Sequence, residues 1–446
     1  MSNGMLDPGT VLHTEDGDAV TVLELLGSGG QGEVYRVRTD RGEYALKWYF
    51  PTSGTEQQRR IVEDLVSRDL DDPRFLWPQQ LVEDGPGGAF GYLMGLLPGR
   101  FQKLPQLFSR KVPFTVRALL MSGVHMVEGY KVLHSQGVAY RDISWGNVLI
   151  DPADGSILIC DNDNAVPETA AAGISGTMKF MAPELIRREP GARPSTQTDL
   201  HSLAVLLFML LMNHHPLEGR LELAIRCLDE AAERRLYGER PVFVFDPADE
   251  SNRPDEYDQA GVRANWSVTP PVLRRLFEQS FTEGLHDPGR RVRESQWRDA
   301  LGQVLDTVVD CASCGRANMT EPTSTKARAC WSCKAQLVLP ARLVVTTSGP
   351  RVTRTVRLGR TARLFRHHLV AEPPRHDFTD TALIARIGEN PKRPGQFGLT
   401  NVSAREWTGR RTDGRQVQVP PQKTVPLLNG LRLDLGDGVE AEVHTD

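Results

Sequence analysis

Asp142 and Asn147 stand five positions apart in Tyr140-Arg141-Asp142-Ile143-Ser144-Trp145-Gly146-Asn147, directly before the apolar run Val148-Leu149-Ile150. A carboxylate at that spacing can take a proton from a hydroxyl nucleophile. The carboxamide beside it can hold a magnesium ion, which is the division of labour in a phosphoryl-transfer loop. Upstream, Leu26-Gly27-Ser28-Gly29-Gly30-Gln31-Gly32-Glu33-Val34 places Gly27, Gly29 and Gly32 in GxGxxGxV spacing. Glycines let a turn lie close over a triphosphate, since no Cβ shields the backbone N–H groups, and Val34 would then cover a purine. Downstream, Cys311-Ala-Ser-Cys314 and Cys330-Trp-Ser-Cys333 are separated by fifteen residues. Two such knuckles deliver four thiolates tetrahedrally to one Zn²⁺, and with no open position or neighbouring catalytic group the site reads as structural.

These groups need elements to hold them. The first fifty residues alternate apolar and polar positions between Gly-rich turns, as antiparallel strands do. A glycine fingerprint of the dinucleotide-binding kind requires a helix after the glycines. Here Glu33-Val34-Tyr35-Arg36-Val37 continues as a strand, so that alternative is rejected. From about Leu104 to His134 the periodicity is helical. Strand signals return at Val148–Ile150 and Ile157–Cys160, split by the turn Asp151-Pro-Ala-Asp-Gly155, and helical patterns run from Ala182 to about Asp310. From about 338 onward the chain shows short Val/Leu/Thr strands with many Gly and Pro, which reads as a small all-β domain. No internal repeat is found.

Composition narrows the classes. The chain has 446 residues, room for two or three domains, and a net charge of −4. That balance argues against a general nucleic-acid binder. The longest apolar stretch, Leu203 to Met212, is too short to span a bilayer and reads as a buried core helix. With no basic-then-apolar leader pattern, the expected location is cytoplasmic. Four of the six cysteines sit in the CxxC pairs, which in a reducing compartment points to metal rather than disulfides.

Ala45-Leu46-Lys47 follows Gly32 by fifteen residues, and with the glycine run and the Asp142 loop it resembles the eukaryotic-type protein kinases. The resemblance implies a two-lobed α+β fold, ATP and Mg²⁺ as nucleotide and metal, and Lys47 on the α/β-phosphates. Lys47 then needs a carboxylate on the next helix, for which Glu63 is chosen, with Glu56 as fallback. Phe90–Met94 becomes the strand into the hinge, Met94 the gatekeeper, and Gly95, Leu96 and Leu97 the adenine contacts. Asp142 becomes the base, Asn147 a metal ligand, and Asp161 the second metal carboxylate in preference to Asp163, which could touch a second ion. Gly176-Thr177-Met178-Lys179-Phe180-Met181-Ala182-Pro183-Glu184 resembles the GTxxYxAPE segment of Ser/Thr kinases and is foreign to small-molecule kinases. It implies that Thr177 bonds near Asp142, that Glu184 is locked by Arg291 of Asp287-Pro-Gly-Arg-Arg291, and that Asp199 braces the catalytic loop. Arg141 would pair with a phosphorylated activation segment, with Thr169 and Ser175 as candidate sites.

Four positions depart from the family pattern. Tyr140 replaces its histidine before Arg-Asp, Asn162 and Asp163 replace the Phe-Gly after the metal aspartate, and Ser144 replaces the lysine near the transferring phosphate. The histidine and phenylalanine replacements put the usual interlobe packing in doubt, and Ser144 supports a slow enzyme or one whose substrate or partner restores the charge. The alternative is a pseudokinase scaffold that binds nucleotide and protein partners with little phosphotransfer. In the tail, Leu358-Gly359-Arg360, Leu399-Thr-Asn401-Val-Ser403 and Leu427-Leu-Asn-Gly430-Leu-Arg-Leu433 resemble a forkhead-associated β-sandwich, a phosphothreonine-binding fold. The spacing departs from that pattern, so a degenerate or unrelated sandwich used for packing or partner binding is expected. His367 and His368, read as adjacent strand residues, point to opposite faces and are not taken as metal ligands. The expected organisation is 1–98 and 99–308 for the kinase lobes, 309–337 for the zinc ribbon and 338–446 for the β domain. That order is similar to bacterial Ser/Thr kinases that work with a von Willebrand-A protein and a PP2C-type phosphatase. Protein substrates are implied, and neither nucleic acid nor membrane is an expected partner.

Overall fold

The computed structural model describes residues 4–83, 88–109, 112–168, 176–325, 328–347, 352–370, 382–390, 393 and 395–445. Thr169 and Ser175 lie outside the described residues. Contacts divide the chain into two compact units, one of Met1–Phe114, His125–Arg263 and Phe277–Glu294, the other of Thr115–Val124, Ala264–Leu276 and Ser295–Asp446.

The first unit begins with six strands: β1 (Val11–Thr14), β2 (Ala19–Ser28), β3 (Gly32–Thr39), β4 (Gly42–Tyr49), β5 (Gln80–Glu83) and β6 (Phe90–Met94). They close into an antiparallel barrel in the order β1-β2-β3-β4-β6-β5. Alternation sorts β4 into two faces. Leu46 and Trp48 join Val20, Val22, Tyr35 and Val37 in one core. Ala45 and Tyr49 face a second core with Tyr92, Met94, Leu149 and Leu158. Lys47 shares the parity of Ala45 and Tyr49, so its stem enters that second core. Gly32 pairs with Tyr49, and a Cβ there would lie 2.2 Å from the Trp48 carbonyl oxygen, so tight strand pairing alone demands glycine.

Between β4 and β5 lies α1 (Glu56–Ser67), capped by the Thr55 side chain, which accepts from the Gln58 N–H, with Glu56 in its first turn. Both features favour helix initiation. Its buried residues are Val62 and Leu65. After the barrel come β7 (Gln102–Lys103), α2 (Leu104–Phe108), α3 (Val116–Ser135), β8 (Val138–Ala139), β9 (Val148–Ile150), β10 (Ile157–Ile159), β11 (Val166–Pro167), α4 (Pro183–Ile186) and α5 (Thr196–Met212). β9 and β10 form an antiparallel pair, with Val148 opposite Ile159. The apolar run Leu203–Met212 is buried throughout as part of α5.

In the second unit β12 (Val309–Asp310) pairs with β13 (Ala317–Asn318). An all-β region follows: β14 (Arg342–Thr347), β15 (Thr353–Arg357), β16 (Arg363–Phe365), β17 (Leu383–Glu389), β18 (Phe397–Asn401), β19 (Trp407–Arg410), β20 (Gln416–Val419), β21 (Thr424–Pro426), β22 (Arg432–Gly436) and β23 (Val439–His444). The six-stranded sheet runs β15-β14-β23-β22-β19-β20 and the four-stranded sheet β16-β17-β18-β21. Alternating residues of both, among them Leu343, Leu399, Trp407 and Val443, share one core. His367 and His368 correct the sequence reading. They lie in a 3₁₀ turn, Arg366–His368, rather than a strand. The two rings are therefore 4.0 Å apart instead of on opposite faces, and His368 Nε2 sits 3.0 Å from the Asp306 carboxylate. Among the described residues no helix is long and apolar enough to cross a membrane.

Candidate active site

The loop between β8 and β9 is held from behind. Asp199, in the first turn of α5, accepts the Tyr140 and Arg141 backbone N–H groups at 2.5 and 3.1 Å. That grip supports Arg141 at φ 71°, a left-handed conformation unusual for a residue with a side chain. The Tyr140 hydroxyl donates to the Cys160 carbonyl, and its ring packs edge-on against Tyr130 at 5.5 Å. The position that departs from the family histidine is thus filled by a buried phenol. Arg141 Nε donates to the Asn164 carbonyl.

On the other side of the loop, Asp142 is gripped through both carboxylate oxygens. Oδ1 accepts the Thr177 backbone N–H and hydroxyl at 3.0 and 3.1 Å. Oδ2 accepts the Asn147 side-chain N–H at 3.0 Å, while the same amide also reaches the Asp142 carbonyl at 2.9 Å. Gly176 precedes Thr177 at φ 137°, and a Cβ there would lie 3.0 Å from the Arg141 carbonyl. Only glycine brings the two segments this close. Glu184 and Arg291 form a two-point pair at 2.8 and 2.7 Å, with Arg291 also donating to the Gln197 and Gly284 carbonyls. Ser144 is buried beside the loop.

Lys47 meets the segment after β10. Its ammonium lies 3.4 Å from Asp161 Oδ1, 2.8 Å from each oxygen of Asp163 and 3.2 Å from Gln31 Oε1 in the glycine turn. Asp163 is fully buried and also accepts from the Tyr49 and Tyr92 hydroxyls at 2.5 and 3.1 Å. Burial alone would raise the Asp163 pKa, but the Lys47 charge and these donors hold it below the usual carboxylate range. Asp161, in contrast, leaves half its side chain exposed and sits at φ 53°. Asn162 is buried and donates its amide to the Leu76 and Ile159 carbonyls at 2.9 and 3.0 Å. Hydrogen bonds to backbone therefore replace the aromatic packing that the family pattern would supply.

Glu63 is a correction. It lies on a half-exposed face of α1 and pairs with Arg59 at 2.9 Å, not with Lys47. The fallback Glu56 is exposed and pairs with Arg60. The polar residue that α1 turns inward is Gln58, whose amide donates to the Asp163 carbonyl and the Tyr49 hydroxyl at 3.0 and 3.3 Å. Sequence reasoning missed Gln58, although it stands one and two turns before the buried Val62 and Leu65.

Val34, Ala45, Met94, Leu96, Leu149 and Cys160 line one apolar cluster at the barrel edge. Burial pushes the Cys160 thiol up to about 12, so it stays neutral. Gly27 and Gly29 have open space where a Cβ would be, or nearly so. This apolar cluster shares Ala45 and Tyr49 with the face of β4 that carries Lys47.

His134 adds a pH-dependent brace. Its ring bridges Asp199 and Glu294. Burial would lower its pKa, but the two carboxylates raise it to about 9. A pKa raised on folding gives stability that is complete below the unfolded value of about 6.5 and is lost as pH climbs through about 9. We expect the advantage of wild type over His134→Gln in reversible unfolding to shrink by on the order of 3 kcal/mol between pH 6.5 and 9. A difference that stays flat across that window would remove the assignment.

In the second unit the cysteines converge. Cys311 and Cys333 sulfurs are 3.6 Å apart, Cys314 and Cys330 sulfurs 3.7 Å, and all four lie within 4.8 Å of one another. Tetrahedral Zn–S bonds of about 2.3 Å place sulfurs about 3.8 Å apart, so the residues fit that ion. The two knuckles repeat one turn, with Gly315 N–H donating to Cys311 O and Lys334 N–H to Cys330 O, both at positive φ.

Residues 20–237 match the family model described as a protein kinase domain. The serine/threonine-protein kinase mos of Xenopus laevis is 27% identical over 232 residues, 48% of this chain and 64% of that protein. CBL-interacting protein kinase 4 of Oryza sativa is 32% identical over 174 residues, 38% and 34% of the two chains. The human protein kinase C delta type is 36% identical over 95 residues, 20% and 14%. The chain therefore covers less than two-thirds of each of these relatives. The matched stretch holds Lys47, Asp142, Asn147, Asp161 and Thr177 in the arrangement described above, and residues 20–237 are similar to a protein kinase domain, with serine/threonine kinases among their relatives.

Proposed function

We propose that the chain is an ATP- and Mg²⁺-dependent protein Ser/Thr kinase. The observation that carries this reading is the pairing of two constellations within one unit. Lys47 lies against Asp161, and Asp142 is tied to both Asn147 and Thr177. In this reading Lys47 meets the α/β-phosphates beneath the Gly27–Gly32 turn, and Val34, Met94 and Leu96 contact adenine. Asn147 and Asp161 would hold Mg²⁺, whose charge offsets that of the phosphate oxygens during transfer. Asp142 orients a serine or threonine hydroxyl and takes its proton. Thr177 and the Glu184–Arg291 pair support the Ser/Thr and peptide-substrate reading, because they fix the segment next to Asp142. Ser144 supplies no cation near the transferring group, which could slow the step by about 10²–10³-fold.

The reading extends to the rest of the chain. Residues 1–98 and 99–308 serve as the two lobes. Residues 309–337 form a structural zinc ribbon, supported by the sulfur spacing. Residues 338–446 act as a module for partner binding, with a PP2C-type phosphatase and a von Willebrand-A protein as the partner classes to try first.

Transfer of label from γ-radiolabelled ATP to the chain itself or to a generic protein acceptor tests the central claim. Wild type should incorporate label only with Mg²⁺, and Asp161→Ala should fall to background. Equal label in both proteins defeats the mechanism. Nucleotide binding by wild type with no transfer at any Mg²⁺ concentration identifies a pseudokinase scaffold instead.

A further inference from the structure

We infer that Asp163, and not a carboxylate of α1, is the counter-ion that positions Lys47 for the nucleotide. The inference rests on the reading that Lys47 meets the ATP phosphates, and it adds a residue that the family pattern does not supply, since Asp163 stands where that pattern has glycine.

Geometry carries it. Both Asp163 oxygens lie 2.8 Å from Lys47 Nζ, the carboxylate is fully buried, and two tyrosine hydroxyls aim at its oxygens. A buried carboxylate so satisfied has one arrangement rather than many. Its backbone carbonyl accepts from Gln58, so the hydrogen bond that α1 gives to the residue holding Lys47 comes from a neutral amide.

α1 cannot easily substitute a carboxylate. Gln58 and Glu63 are five residues apart, which on an α-helix is a rotation of about 140°. Turning Glu63 inward would carry the buried Val62 and Leu65 away from the core and break the Arg59 pair. The lysine's position is therefore set by the same short segment that carries Asp161. A shift of residues 161–163 moves the proposed metal carboxylate and the lysine's counter-ion together. With Asp163 neutral, the ammonium keeps Asp161 as its remaining acidic partner among the described residues. That contact would draw Lys47 toward the carboxylate that Mg²⁺ needs.

The test compares full-length wild type, Asp163→Asn and Glu63→Gln for binding of ATP and of adenosine, by calorimetry with Mg²⁺ present. Lys47 can discriminate only through the phosphates. Asp163→Asn should weaken ATP by roughly 10–100-fold, the scale of a lost hydrogen bond to a charged group, and leave adenosine within about threefold. Glu63→Gln should leave both within about threefold, because it removes only a half-exposed pair. The inference is overturned if Asp163→Asn leaves ATP affinity unchanged, if it weakens ATP and adenosine equally, or if Glu63→Gln weakens ATP as much as Asp163→Asn does. Should Asp163→Asn fail to fold, Glu63→Gln decides alone: a tenfold or greater loss of ATP affinity overturns the inference, and an unchanged affinity upholds it. Wild type that binds neither ligand removes the underlying kinase reading, whereas wild type that binds ATP without transferring phosphate leaves this inference standing.

Discussion

Asp142→Asn should lower kcat for phosphotransfer by on the order of 10²–10⁴-fold, the usual contribution of a positioned general base. The size follows from what the substitution changes and what it leaves. The new side chain keeps one oxygen, which can go on accepting the Thr177 N–H and hydroxyl that now meet Oδ1. Its amide faces the Asn147 side-chain N–H that now meets Oδ2, and two donors repel. Asn147 still has the residue 142 carbonyl at 2.9 Å, so the loop has a bond to fall back on. Asp199 holds Tyr140 and Arg141 independently of the Asp142 side chain. What is lost is the basic oxygen that takes the hydroxyl proton. KM for ATP should therefore stay within about threefold, the signature of an interaction made only in the transition state. Steady-state kinetics on a protein acceptor separate the two constants. A kcat within threefold of wild type would show that Asp142 is not the base, and a parallel rise in KM would show that the substitution disturbed the nucleotide cleft.

What could be read from the sequence divides by the range over which each contact is specified. Asp142, Asn147 and the strand after them are one continuous stretch, and local spacing decides their geometry. The alternation of Leu46, Lys47 and Trp48 likewise sorts β4 into its two faces before any partner is known. Pairs distant in the chain were legible where both partners carry a distinctive local signature. Glu184 and Arg291 were paired on that basis and lie 2.7–2.8 Å apart. The failures share a different cause. The choice of Glu63 rests on its separation of sixteen from Lys47 within the run Ile61–Val66, and that spacing does not say which face the helix buries. Val62 and Leu65 define that face, and Gln58 lies on it. Asp163 is a different matter, because its contacts depend on two tyrosines, Tyr49 and Tyr92, on separate strands of the barrel. No local pattern announces such a convergence. His367 and His368 failed through the backbone: a 3₁₀ turn puts neighbours about 120° apart rather than on opposite faces, and nothing in Arg366-His-His marks it. Gly32 shows an overlap of causes, since strand pairing against Trp48 requires a glycine at the place where a nucleotide turn would also want one.

Removing zinc should unfold residues 309–337 while sparing the β-sandwich beside them in sequence. The reason is the size of each core. Around the cysteines the buried cluster consists of Cys311, Cys330 and Leu337, with Ala335 partly buried against it. Two of those three are the proposed ligands, so without metal almost no apolar burial opposes the chain entropy. Strand support is also slight: β12 and β13 pair over two residues each. The sandwich, by contrast, owns a continuous core from Leu343 to Val443. Structural zinc contributes apparent folding energy of about 10–16 kcal/mol in small cysteine-rich modules, far more than any other single group in this segment can supply. Wild type should carry about one zinc per chain by elemental analysis, and Cys330→Ser should carry close to none. Hydrogen exchange in Cys330→Ser should become fast across the cysteine knuckles and stay slow at Leu343, Trp407 and Val443. Cobalt substitution of wild type should give thiolate charge-transfer absorption, which a pair of disulfides cannot produce. Metal-free wild type that keeps slow exchange at Cys311 and Cys330 would mean that packing alone maintains the knuckles, and the four-thiolate site would lose its structural role.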